Sequence, residues 1–118
     1  MDPEVISDSK LAIDLFFRDL LNEFEISPEN ISFLIDGRNY EFSDSRFDSS
    51  YFGQMRQYFI EVSVKNGFSA IDLKEHYDNH YSENGKRFES ATDAHWNELG
   101  HEIAAQQLKR LYLKKLQH

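Results

Sequence analysis

Apolar residues recur at helical spacing in the first part of the chain and predict its first helix. The helix is predicted over residues 9–25, with the hydroxyl of Ser7 or Ser9 capping its N-terminus. The Ser27-Pro28 sequence then disfavours helical backbone and ends the element. The residues predicted to face the interior are Ile13, Phe17, Leu20, Leu21 and Phe24.

Two short apolar runs, residues 31–35 and 68–73, have the length and composition of strands buried on both faces. Between them a helical stripe predicts a second helix, which ends at Asn66 and Gly67 because these residues tolerate left-handed backbone. Residues 38–49 carry Asp, Ser and Arg without periodicity and are predicted to form a surface loop. The stripe of the second helix consists of Phe52, Met55, Phe59 and Val62.

The last third of the chain predicts two more helices separated by a loop. A short helix with Leu73, Tyr77 and Tyr81 on one side is predicted to end near residue 82. The loop of residues 86–96 follows, and Asn97 is a favourable N-cap for the final helix. The final helix is predicted to face the interior with Ala104, Leu108, Leu111 and Leu116.

This order of elements indicates an α/β fold: one domain over residues 1–118, equivalent to half of a doubly wound sandwich with a few parallel strands flanked by helices. Two parallel strands are too few for a sheet that stands alone, because their outer edges leave backbone groups unpaired. The missing neighbour is expected to be another half of the same protein, a second copy of the chain, or an extra strand. Val5-Ile6 and Tyr40-Glu41-Phe42 are the candidates for that strand.

Composition and charge limit the kinds of site and partner that the chain is expected to have. The chain has 118 residues, is 40% hydrophobic and contains no cysteine, so a packed core is expected and thiolate metal sites and disulfides are excluded. The net charge of −8 argues against nucleic acids and anionic membranes as partners. We expect a soluble chain, because its start is acidic rather than signal-like and no apolar run approaches about 20 residues. The basic residues on the last helix are interpreted as a solvated face: Lys109, Arg110, Lys114 and Lys115.

The candidate chemistry lies directly before the final helix, in Asp93-Ala94-His95-Trp96-Asn97-Glu98-Leu99-Gly100-His101. An Asp two residues before a His can hold one imidazole nitrogen and leave the other free, which is how a general base for a hydroxyl nucleophile is oriented. Trp96 is predicted to pack this loop inward. Gly100 in the first turn of a helix costs about 1 kcal/mol relative to alanine, which indicates close approach of another backbone.

This block resembles the C-terminal part of the SGNH (GDSL-like) hydrolase superfamily, and is closest to the branch of O-acyltransferases and esterases that includes alginate acetyltransferase-type proteins. The resemblance covers about residues 10 to 116 of the chain. It extends through Phe33-Leu34-Ile35-Asp36-Gly37, Ser50-Tyr51-Phe52-Gly53-Gln54-Met55-Arg56-Gln57-Tyr58-Phe59, Gly67-Phe68-Ser69-Ala70-Ile71-Asp72-Leu73 and Gly85-Lys86-Arg87-Phe88.

The resemblance implies half of an active site. The family's more common spacing is Asp-x-x-His, one residue longer, and the blocks that supply its catalytic Ser, a Gly and an Asn precede the matched region. Two Asp-Ser pairs occur here, in Ser7-Asp8-Ser9 and Ser43-Asp44-Ser45, but Ser replaces the preceding Gly in both. A helix cap and an Asx-type turn are the structural interpretations of these two segments.

The function implied by the resemblance is that of a partial serine esterase or O-acyltransferase, inactive alone, in which His95 is the catalytic base and Asp93 orients it. No metal or organic cofactor is expected, and the expected partner is an upstream half of the same protein or a second copy, so that the chain alone would form homo-oligomers. The alternative is a non-enzymatic interaction module that binds itself or a partner through an open strand edge.

Two further sets of polar residues have structural interpretations. His76 and His80 lie four residues apart with Asp78 between them, which makes a zinc site conceivable, but Tyr77 stands where a zinc protease motif needs Glu. These histidines are interpreted as part of an exposed polar helix face. The carboxylates at the strand ends, Asp36 and Asp72, are interpreted as caps of the turns or helices that follow.

Overall fold

The structure, a computed structural model, describes residues 2–36, 46–88 and 95–117, with Arg46 described by its backbone alone. Helices predominate, and two short strands form a parallel sheet, so the chain has α/β character. The elements in chain order are α1 (Pro3–Glu23), a single 3₁₀ turn (Pro28–Asn30), β1 (Ser32–Ile35), α2 (Arg46–Ser49), α3 (Tyr51–Lys65), β2 (Ser69–Asp72), α4 (Leu73–Asn84) and α5 (Glu98–Leu116).

Helix α1 begins six residues earlier than the apolar spacing predicts. Asp2 caps it, because its carboxylate accepts a hydrogen bond from the backbone N–H of Glu4 at 2.9 Å, and Pro3 occupies the first helical position. The prediction of Ser7 or Ser9 as the cap is therefore wrong. Val5 and Ile6 lie within the helix, so they do not form the extra strand proposed for them.

The predicted ends of the other helices are mostly confirmed. Ser50 caps α3, which ends at Asn66, and Gly67 then takes a φ of +90°, a left-handed conformation that suits glycine. Asp72 caps α4 by accepting from the N–H of Lys74 at 3.0 Å. Of the segment predicted as loop, residues 46–49 form the short helix α2. The rest of that segment, with Tyr40-Glu41-Phe42, lies outside the described residues.

The sheet contains β1 and β2, four residues each, as hydrogen-bonded parallel neighbours. Just before the strands pair, the N–H of Ser69 donates to the carbonyl of Ile31 at 3.3 Å. Every residue of both strands is partly buried. Within residues 2–36, 46–88 and 95–117, each strand has one neighbour and therefore one outer edge.

The described chain divides into two compact units, of which the first contains residues 2–33 and 46–70. Its core is aromatic. Phe17 is 1% exposed, and four phenylalanine rings surround it with centroids 5.0 to 5.8 Å away. Tyr58 of α3 donates a hydrogen bond to Asp14 of α1 at 2.7 Å, and this bond raises the pKa of the tyrosine. The surrounding rings belong to Phe16, Phe33, Phe59 and Phe68.

The second unit contains residues 34–36, 71–88 and 95–117. Its buried core joins α4, the segment after α4 and the first half of α5, through Leu73, Tyr77, Phe88, Ile103 and Ala104. The predicted inward stripe of α5 is correct at Ala104 and wrong at two positions, since Leu108 is 43% and Leu116 is 64% exposed.

The two longest helices are α1, with 21 residues, and α5, with 19. Both carry charged side chains along much of their length. Among the helices in the described part of the chain, we find none that combines the length and the hydropathy required to cross a bilayer.

Candidate functional site

The candidate site is built around Asn97, which joins the start of α5 to the segment that follows α4. Its side-chain oxygen accepts from the N–H of Gly100 at 2.9 Å, which makes it the predicted N-cap of α5. Its backbone N–H donates to the carbonyl of Phe88 at 2.7 Å, and its side-chain amide donates to the carbonyl of Arg87 at 2.9 Å. Residues 87 and 88 are therefore held next to the start of α5.

His95 lies two residues before this cap and is exposed to solvent. An exposed imidazole can exchange protons with a molecule that approaches from solution, which a general base must do. Asp93, its predicted partner, lies outside the described residues, so the contact between the two side chains stays a prediction.

Trp96 turns from the loop towards the interior, as predicted. It is partly buried and packs against the core of the second unit. Its ring meets Tyr77 edge-to-face at 6.3 Å and His101 edge-to-face at 5.3 Å between centroids. Trp96 thereby fixes the position of the backbone between His95 and Asn97.

Gly100 confirms the predicted close approach of backbone to the start of α5. A methyl group at this position would lie 2.7 Å from the carbonyl oxygen of Phe88 and 3.1 Å from the β-carbon of Trp96. Because the first contact is with backbone, a larger residue could be accommodated only by moving α5 away from the segment that carries Phe88.

The sequence did not reveal the part that Tyr77 plays in this site. Its ring is fully buried and stacks on Phe88 at 4.5 Å, and its hydroxyl donates to the carbonyl of Gly100 at 3.0 Å. Burial raises the pKa of Tyr77, and the nearby charge of Asp36 raises it further. The spacing of Leu73, Tyr77 and Tyr81 indicated an inward face, but no local signal pointed to the hydrogen bond with residue 100.

Alkaline pH is expected to destabilise the chain partly through Tyr77. Below its ordinary pKa of 10.0 the residue is neutral in both the folded and the unfolded state. Above that pH the unfolded state releases the proton first, so the free energy of unfolding falls by up to about 1.4 kcal/mol per pH unit until the folded state titrates too. Urea unfolding from about pH 9 to pH 11 checks this. Tyr77→Phe should fall less steeply than the wild type, and Tyr112→Phe, at an exposed position, should match it.

The two aspartates at the ends of the strands differ in their contacts and exposure. Asp72 is the cap of α4, as predicted. Asp36 directly follows β1 and is exposed, and its charge acts on Tyr77, which places it near the core of the same unit. The residues that follow Asp36 lie outside the described ranges, so its predicted role as a cap remains a prediction.

The other candidate residues that the structure describes are not brought together. In the described part of the chain, we find no group of three His, Asp or Glu side chains able to hold a metal ion. His80 instead packs edge-to-face on Phe88, with centroids 5.6 Å apart. Ser7 and Ser9 lie inside α1, so they do not form the tight turn of a nucleophile. Ser43 and Ser45 lie outside the described residues.

The first unit has a groove of about 580 Å³ between α1 and α3. Its rim carries both signs of charge, from Asp14, Arg18, Glu61 and Lys65, over a floor that includes Phe17. None of the residues that line it is a histidine or a serine, so the groove does not offer the base and nucleophile that the sequence suggests.

No protein-family model, curated protein or solved structure matches this chain. The chemistry of its own residues is therefore the basis for assigning a function. The exposed imidazole of His95 and the outer edges of the two strands within the described residues are the two features that bear on it.

Proposed function

We propose that this chain is the C-terminal half of an SGNH-type serine esterase or O-acyltransferase, in which His95 is the general base and Asp93 orients its imidazole. One observation supports this most directly: His95 is exposed two residues before Asn97, whose hydrogen bonds join the start of the last helix to residues 87 and 88. The parallel strands between helices agree with half of such a sandwich.

The proposed reaction is acyl transfer through a serine that other residues supply. His95 would take the hydroxyl proton as the serine oxygen bonds to the acyl carbon, and would return it to the leaving alcohol as the ester bond breaks. Water or an acceptor alcohol then repeats the two proton transfers and releases the acyl group. A base of this kind contributes about 10² to 10⁴ in rate, and only when the nucleophile is within hydrogen-bond reach.

The chain alone is expected to be nearly inactive as an esterase. Its hydrolysis of p-nitrophenyl acetate should equal that of its five histidines acting as independent imidazoles. His95→Ala should then remove no more than about one fifth of the rate, one histidine of five, as should the control His118→Ala. A burst of p-nitrophenol that disappears only in His95→Ala would place a nucleophile within this chain and contradict the proposal.

The pairing of Asp93 with His95 is tested independently by the nitrogen chemical shifts of the imidazole. If the carboxylate holds one ring N–H, the wild type should populate a single neutral tautomer and Asp93→Asn should populate both. Asp8→Asn, which changes the charge equally within α1, should leave the tautomer unchanged. Identical spectra for the wild type and Asp93→Asn would remove Asp93 from the site.

Partner binding at a strand edge is the second candidate function. The observation in its favour is the sheet itself, because within the described residues each of the two parallel strands has a neighbour on one side only. A further strand, from another half of the protein or from a second copy, would lie along one of these edges. In both candidates the described chain is one part of a larger assembly.

A further inference from the structure

The C-terminal half of α5 carries an exposed apolar row. Positions 108, 112 and 116 are four residues apart, so their side chains lie on one side of the helix. Single exposed leucines are ordinary on protein surfaces, whereas a contiguous group of large apolar side chains indicates a contact surface. The exposed residues of the group are Leu108, Tyr112, Leu113 and Leu116.

The charges around this row are all positive. Residues 108–116 contain no Asp or Glu and four cations, namely Lys109, Arg110, Lys114 and Lys115. The remainder of the chain holds 9 Lys and Arg against 21 Asp and Glu, a balance of −12. We call residues 108–116 the basic α5 face.

Helix α1 presents the opposite charge around a similar apolar group. Val5, Leu11, Leu15 and Phe16 are exposed. Asp8 lies about one turn from Leu11. Asp19 lies one turn from Leu15 and forms an exposed ion pair with Arg18 at 3.1 Å, so the acidic side chains of this side still outnumber Arg18. We call this surface, with Glu4 and Glu23 at its ends, the acidic α1 face.

We propose that the basic α5 face of one chain docks on the acidic α1 face of a second copy. The apolar group spans about 12 Å along α5 and about 17 Å along α1, so the two are comparable in length. Contact would bury leucine against leucine, and the lysines would meet carboxylates at the rim. Each copy carries both faces, so the α5 face of either chain can meet the α1 face of the other.

Charge favours this pairing over two other arrangements. Docking of α5 on α5 would bring eight cations close to one another, because residues 108–116 of each copy contribute four. An anionic membrane would attract residues 108–116 but repel the rest of the chain, whose balance is −12. The acidic α1 face supplies the counter-charge within the same molecule, and this interaction is independent of the chemistry proposed for His95.

The test is sedimentation velocity of the full chain at low and high salt. Self-association is expected at low salt and should weaken as salt screens the charges. The α5-reversed variant carries Lys109→Glu and Lys115→Glu. The α1-reversed variant carries Asp8→Lys and Asp19→Lys. Each should raise the dissociation constant by about tenfold or more. An equimolar mixture of the two variants should associate again, because each reversed face then meets its complement.

Matched control variants distinguish loss of the proposed contact from an effect of net charge and from loss of folding. The reversals change the net charge from −8 to −12 and to −4. Two control variants make the same changes in net charge at exposed positions outside the two faces. Lys65→Glu with Lys86→Glu matches the α5-reversed variant, and Glu75→Lys with Glu83→Lys matches the α1-reversed variant. Both controls should associate like the wild type. A variant with unchanged charge, Tyr112→Ser with Leu116→Ser, should also lose association while it keeps the wild-type circular dichroism spectrum.

Three outcomes would overturn the proposal. The first is a chain that stays monomeric at low salt up to about 1 mM. The second is association that neither reversed variant changes, which would assign it to the strand edges. The third is a monomer that binds vesicles of phosphatidylglycerol and loses this binding in the α5-reversed variant, which would assign the basic α5 face to a lipid surface.

Discussion

Phe17→Ala is expected to lower the free energy of unfolding by about 3 to 5 kcal/mol, because it removes the central ring of the first unit. Phe17 is 1% exposed and contacts four other phenylalanine rings, so truncation leaves a cavity that those rings can fill only by leaving their own positions. A domain of this size has a total stability of about 5 to 15 kcal/mol. The variant should therefore be close to unfolding at 37 °C.

Urea unfolding followed by far-ultraviolet circular dichroism measures this effect. Phe24→Ala is the matched control, because Phe24 follows the same helix and is 55% exposed. Its cost should be within about 0.5 kcal/mol of zero. Equal losses in the two variants would mean that the aromatic cluster around Phe17 does not form the core of its unit.

Tyr77→Ala is expected to have a comparable effect, about 3 to 5 kcal/mol, on the second unit. Tyr77 is 0% exposed, and its ring stacks on Phe88 and packs edge-to-face with Trp96. Its removal should also loosen the start of α5, because the hydroxyl no longer bonds the carbonyl of Gly100. Tyr77→Phe keeps the ring and should lose about 0.5 to 1.5 kcal/mol, the net contribution of one hydrogen bond, because the carbonyl of Gly100 remains within helix α5.

The position of the loop can be measured separately from stability, since Trp96 is the only tryptophan in the chain. Its emission should shift to longer wavelength in Tyr77→Ala, because the ring then has more contact with water. Val64→Ala, at a residue that is 57% exposed and outside both proposed docking faces, should change neither the emission nor the stability. Wild-type emission in Tyr77→Ala would contradict the packing of this loop on α4.

The sequence was most informative where the signal is local. Asn97, Asp72 and the Asn66-Gly67 pair each act on backbone groups within three residues, and the structure confirms all three. The same kind of signal marks the start of α1, in Asp2, Pro3 and Glu4. Apolar periodicity missed it because the inward-facing residues begin later than the helix does.

Periodicity was also insufficient to tell how far an apolar stripe stays covered. Leu108 and Leu116 follow the helical spacing that predicts an inward face, yet they are exposed. Helix α5 is about 28 Å long, and the buried cluster extends only to Ala104. Spacing identifies which residues share a side of a helix, whereas the length of the neighbouring element decides which of them are buried.

The candidate site was predictable in part. The cap of the last helix and the close approach at Gly100 both had signals in neighbouring residues. The bond from Tyr77 to Gly100 joins positions 23 residues apart and depends on how α4 meets α5. Such a contact is a property of the packed unit, and no pattern in either segment specifies it.

The hydrogen bonds of Asn97 to residues 87 and 88 join the segment after α4 to the start of α5. The same side chain caps α5 through the N–H of Gly100. Loss of this one side chain would accordingly release the first turn of α5 and the carbonyl of Arg87 at the same time.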